Sequence, residues 1–198
     1  MTDDLSPAPL VVDHDPGWSA RALALVDRLR SELAPLPVYA EHIGSTAIPG
    51  MAAKPVFDLQ ITVTDLYEAE CAFDRPLAEL GFRQSVHQHD HVPAGVDDDP
   101  ERWVKRLWMR RGHAGADCNL HVRLLGSPNE RLALLFRDWF RAHPGAVPAY
   151  GRFKSALAGV VRDVDTYADV KDPVVDLVVT VAEAWAASTG WTPHAGVN

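Results

Sequence analysis

The sequence predicts an α+β fold: a small mixed sheet with flanking helices and a C-terminal helical layer. Three observations carry this expectation. Residues 55–63, "PVFDLQITV", alternate with period two, with Phe57, Leu59, Ile61 and Val63 on one face and Val56, Asp58, Gln60 and Thr62 on the other. Residues 15–33 instead space Ala22, Leu25, Val26, Leu29 and Leu33 three and four apart, the pattern of an amphipathic helix. Beyond residue 127 the pattern turns helical and stays so. Strands and helices mixed early, then helices alone, suit one sheet with a helical cover.

The helix over 15–33 is followed by a strand over 35–43, in which Val38, Ala40 and His42 alternate with Tyr39, Glu41 and Ile43. "GSTAIPGMAAK" (44–54) reads as a turn with a short helical or irregular piece, and 55–63 is the next strand. A helix over 65–81 has Asp65 as N-cap and Gly81 past its end, with Pro76 expected to kink or split it. "FRQSV" (82–86) is a strand and 87–101 a loop; 102–112 and 116–126 are two strands joined as a hairpin. The helix over 127–144 opens on Ser127, Pro128 and Glu130, the spacing of a capping box with proline at the first helical position. Helices over 148–161 and 165–188 complete the chain, with no internal repeat.

The 198 residues, 47% of them hydrophobic, suit one domain with a substantial core. It is expected over 11–187, with the sheet core at 11–126 and the helices at 127–187, between flexible ends at 1–10 and 188–198. No apolar run approaches the roughly 20 residues that span a bilayer. "MTDDLSPAPL" lacks a basic n-region, so a soluble, cytoplasmic protein is expected, with no membrane partner. Nineteen Lys and Arg against 27 Asp and Glu give a net charge of −8, which argues against long nucleic acid as a partner. A small phosphorylated ligand needs only a local basic pocket, and "RWVKRLWMRR" (102–111) clusters such residues. Cys71 and Cys118 form no CxxC and are read as core residues.

The chemistry concentrates in "EHIGSTAIPGMAAKPVFDLQITV" (41–63). A strand ends at Ile43, Gly44 permits a tight turn, and Ser45 and Thr46 bring hydroxyls and backbone N–H groups that suit an anion. The following strand brings Asp58, a carboxylate able to hold Mg²⁺. The same pattern also describes an ordinary turn beside a structural aspartate.

Strings along nearly the whole chain resemble the GrpB family of the nucleotidyltransferase superfamily, related in fold to DNA polymerase β. They are "DHDPGWSA", "HIGSTAIPGMAAKPVFDLQI", "RLWMRRG", "NLHV", "LFRDWFRAHP", "YGRFKSAL", and Tyr167 with Lys171. A similar domain is fused behind dephospho-CoA kinase in some actinobacterial proteins. The resemblance implies a nucleoside triphosphate with Mg²⁺, phosphates at Gly44, Ser45 and Thr46, a metal at Asp58, and an activating group on the strand holding Asn119 and His121. Superfamily members place a second acid two residues after the first; here that position is Gln60. Two outcomes therefore stand open: a transferase in which His121 acts as base, or a nucleotide- or coenzyme A-related binding module with a degenerate metal site.

Further candidates surround this string. His42 precedes the turn, and Lys54 offers a point charge at the mouth of the Asp58 strand. Arg106 and Arg110 share a strand face and would complete an anion pocket or simply face solvent. Tyr150 with Lys154, and Tyr167 with Lys171, each share a helix face that reaches the pocket or packs the helical layer. "HQHDH" places His87, His89 and His91 at alternate positions, a spacing that can hold Zn²⁺ or arise by loop composition.

Overall fold

The computed structural model describes residues 10–113 and 116–194. Among these residues five strands form one mixed sheet in the order β1-β2-β5-β4-β3: β1 (Tyr39–Ile43), β2 (Phe57–Val63), β3 (Arg83–Gln84), β4 (Lys105–Arg110) and β5 (Cys118–Leu124). Among the described residues only β2 and β5 run parallel; the other pairs are antiparallel, including the β4–β5 hairpin. The expected α+β class and single mixed sheet are therefore present. The helices are α1 (Trp18–Glu32), α2 (Leu66–Glu79), α3 (Pro128–Ala142), α4 (Val147–Ala158) and α5 (Val164–Thr189). Among the described residues, no helix is long and apolar enough to cross a membrane.

The period-two pattern divides the sheet into two chemically different faces. Phe57, Leu59, Ile61 and Val63 join Cys118, Leu120, Val122 and Trp108 under α1 and α2, forming the main core. The opposite face carries Asp58, Gln60, Thr62, Asn119, His121 and Arg123 and lies under the C-terminal helices, whose contacts run from α3 to β1 and β5. A second apolar cluster, with Ile48, Met51, Phe136, Phe140 and Tyr150, ties the segment after β1 to α3 and α4.

Several local expectations change. Asp65 does cap α2, accepting from the Tyr67 and Glu68 amides, but α2 runs through Pro76 without splitting. Ser127 does not cap α3. Its single hydroxyl proton is shared between the Leu124 carbonyl and Asn129 Oδ1, 2.8 and 2.7 Å away, and Asn129 Oδ1 accepts from the Glu130 amide. Glu130 cannot close a capping box because it is buried, held by Thr62 and His194. Within the expected flexible tail, Trp191 and His194 are anchored: Trp191 donates to Asp138, and His194 stacks on Tyr39 between Glu41 and Glu130. The expected flexible residues 1–9 and 195–198 lie outside the described residues. Cys118 is buried as expected, whereas Cys71 is exposed, on the outer side of α2.

Candidate functional site

The starts of the parallel strands β2 and β5 and the end of β1 meet at one level, pairing Ile43 with Asp58 and Asp58 with Asn119. Above them opens a pocket of about 450 Å³, roofed by α3, α4 and α5. Gly44 makes the corner. Its φ of +69° and ψ of −169° lie in a region open essentially to glycine alone. A Cβ there would stand 2.5 Å from Asp58 Oδ2, so the backbone passes directly over the carboxylate.

Asp58 lies among donors. Asn119 Nδ2 donates to Oδ1 at 2.8 Å, and His121 Nε2 lies 3.6 Å away, an electrostatic contact longer than a hydrogen bond. Burial raises the Asp58 carboxyl, but His121, Asn119 and Lys171 outweigh it and hold the group well below the usual carboxylate range. His121 is fixed as one tautomer. Arg123 can only donate, so Nδ1 accepts from its Nη2 at 3.3 Å, leaving the ring proton on Nε2 toward Asp58. Burial and then Arg123 push the imidazole pKa down, with Asp58 opposing, so His121 is a weaker base than a free imidazole.

The turn meets α4 through Lys154, whose ammonium donates to Ser45 Oγ at 2.9 Å. Lys154 is 2% exposed, and its pKa is lowered to about 7 by burial and by Lys171, with Asp58 opposing. Lys54 and Lys171 line the same pocket, Lys54 lying 5.3 Å from the Tyr167 ring centre. Across the pocket, Asp90 accepts from Lys105 Nζ at 2.5 Å, from Arg123 Nε at 2.8 Å and from Asn129 Nδ2 at 3.0 Å. Burial raises the Asp90 carboxyl, but Arg123 and Lys105 override it and hold it far down.

The pocket brings together Gly44, Ser45, Thr46, Lys54, Asp58, Asn119, His121, Tyr150, Lys154, Tyr167 and Lys171. Four candidates fall elsewhere. His42 points to the α1 side, edge-on to Phe57 and bonded to Thr46 Oγ1 at 2.8 Å; burial lowers it to about 4, against the pull of Asp58. It supports the turn from behind. Arg106 and Arg110 occupy the α2 face, the first donating to Glu70 and the second to the Ala116 carbonyl over Phe82. Trp108 explains this: fully buried in the main core, it shares their parity and carries both arginines with it. Lys105, of opposite parity, enters the pocket instead.

Gln60, 1% exposed, accepts from Arg123 Nη1 at 2.5 Å and donates to the Glu130 carbonyl. It is closed off from the pocket. The residues present therefore do not fit a protein-held Mg²⁺: the second carboxylate is replaced and turned away, and Asp58 is engaged by Asn119 amid lysines. Among the described residues, no group of three or more His, Cys, Asp or Glu is arranged to hold a metal ion. His87, His89 and His91 do not converge; His89 lies near Glu101 and His91 bonds Asp176. Sequence reasoning missed Asp90, Lys105, Arg123 and Asp172 as lining residues. Arg123 was legible by alternation with Asn119 and His121, whereas Asp90, in a loop, had no such signal.

Residues 9–180 match the family model described as GrpB protein. A dephospho-CoA kinase of Mycolicibacterium paratuberculosis is 36% identical over 97% of this chain and 50% of its own length. The chain thus spans about half the length of the dephospho-CoA kinases it matches. A UPF0157 protein of Halalkalibacterium halodurans is 31% identical, over 88% of this chain and 82% of that protein. The crystal structure of conserved protein GrpB from Enterococcus faecalis superposes with a TM-score of 0.71 at 22% identity, covering 89% of this chain and 99% of that one.

Proposed function

We propose, from the premise that this chain belongs to the GrpB family, that its pocket is a binding module for a nucleoside triphosphate or a coenzyme A-related phosphorylated ligand. The Lys154–Ser45 contact under the Gly44 turn carries this reading. A buried ammonium whose pKa is already depressed gains most from an incoming anion, and Lys54 and Lys171 add charge at the same wall. Lys carries phosphate as a point charge, so the three need no shared plane.

Nucleotidyl transfer is the second reading, favoured by the ionised Asp58 facing the phosphate site. In it Asp58 orients an acceptor hydroxyl and His121 donates a hydrogen bond from Nε2. Gln60 weighs against it, since the position for a second carboxylate is spent on Arg123 and Glu130.

Calorimetry with ATP, GTP, CTP, UTP and dephospho-CoA, paired with a pyrophosphate assay with Mg²⁺ or Mn²⁺, tests both readings. Saturable binding without pyrophosphate is the expected result. Pyrophosphate release that vanishes in Asp58→Ala would replace the module by a transferase, and absence of binding by every probe would remove both.

The lysine also sets a pH dependence. Its ammonium form, favoured below about 7, is lost above it. Triphosphate affinity is therefore expected to fall by about tenfold as pH rises from about 6 to about 8.5, against the ligand's own gain in charge. Lys154→Met should bind weakly with a profile lacking that fall. A parallel decline in the variant would assign the effect to another group.

A further inference from the structure

Beside the phosphate wall lies a second cavity of about 120 Å³, between α5 and the segment leading into β4. Asp90, Arg123, Leu132, Ala133, Asp172 and Val175 line both cavities, so one ligand can occupy the two together. Asp176 closes the far end. It is 8% exposed, and its Oδ2 accepts from His91 Nε2 at 3.0 Å and from the Ala94 amide at 2.9 Å. Its Oδ1 is buried and has no hydrogen-bond partner among the described residues. A buried acceptor left unmatched costs about 1–3 kcal/mol, which a donor on a ligand would recover.

The surroundings narrow that donor. Pro93, Trp103, Leu132 and Val175 supply apolar walls that suit a flat ring. Arg123 is already engaged by Asp90 and Gln60, whereas Asp172 and Asp176 leave the wall rich in carboxylate oxygen, so an N–H donor is favoured over an acceptor. Asp172, one helical turn before Asp176, adds a carboxyl that burial pushes upward.

Resting on the phosphate reading above, we propose that this cavity seats an amino-bearing nucleobase, with its exocyclic amine donating to Asp176 Oδ1. The pocket then selects nucleotides by base as well as by phosphate.

The test compares ATP and CTP with their analogues lacking the exocyclic amine, purine riboside and pyrimidin-2-one riboside triphosphates, and with inorganic tripolyphosphate. Each is titrated into the full chain and into Asp176→Asn. At least one amino-bearing nucleotide is expected to bind about tenfold or more tightly than its analogue. In Asp176→Asn that preference should disappear while tripolyphosphate affinity is retained. Equal binding of both members of both pairs to the wild-type chain overturns the proposal without any variant. An equal loss of tripolyphosphate and nucleotide affinity in Asp176→Asn also overturns it, by making Asp176 a support of the loop. Failure of tripolyphosphate and every nucleotide to bind overturns the phosphate reading itself.

Discussion

Gly44→Ala is expected to lower stability by about 3 kcal/mol and to abolish anion binding. The backbone at this position adopts angles that cost a non-glycine residue about 1–3 kcal/mol. The added methyl also meets Asp58 at 2.5 Å from Oδ2 and 2.9 Å from Cβ. Both cannot be relieved by a rotamer change, because the nearest atoms include the Cβ as well as the carboxylate. Either the turn opens, separating Ser45 from Lys154, or Asp58 leaves Asn119 and His121. Chemical denaturation would read the stability loss and calorimetry the binding. Gly44→Ala with unchanged stability and triphosphate affinity would show that the chain does not need to pass over the carboxylate. Ala replacement of Gly145, which has open space and lies outside the pocket, is the control and should change neither measurement.

Asp90→Ala should be at least as damaging, for an electrostatic reason. Lys105 and Arg123 are 7% and 5% exposed and share this carboxylate. Removing it leaves two buried cations without their counterion, a change that typically costs about 3–5 kcal/mol. The same pair predicts acid sensitivity. The folded-state pKa of Asp90 is depressed below the ordinary aspartate value of 3.8, so its contribution is fully present above that value and is lost as pH falls toward the folded pKa. Denaturation midpoints measured from about pH 6 down to about pH 3 should decline in the wild-type chain, and less steeply in Asp90→Ala. Equal slopes would place the acid sensitivity elsewhere.

Asp90 also marks the limit of what the residues announce in advance. Alternation put Asn119 and His121 on one strand face and Asp58 on another, and the family resemblance joined the two, as the register of β2 and β5 does. The helix pairs Tyr150–Lys154 and Tyr167–Lys171 followed from the four-residue repeat. What failed was the face of β4: Arg106 and Arg110 were expected at the pocket or in solvent, although burial of Trp108 decides their side. Loop residues such as Asp90 obey neither period, and their placement depends on partners distant in sequence: Arg123 lies 33 positions away. The capping box at Ser127 was locally sound and was overridden by a long-range contact, Glu130 with His194 across 64 positions.

The Lys154–Ser45 bond joins residues 109 positions apart, and α5 enters the same pocket from still further along the chain. This has a kinetic meaning. Long loops close slowly and their entropy must be met before distant contacts form, so the sheet with α1 and α2 can condense ahead of its cover. Refolding followed by tryptophan fluorescence and by recovery of ligand binding should therefore resolve two phases, with competence for the ligand arriving in the later one.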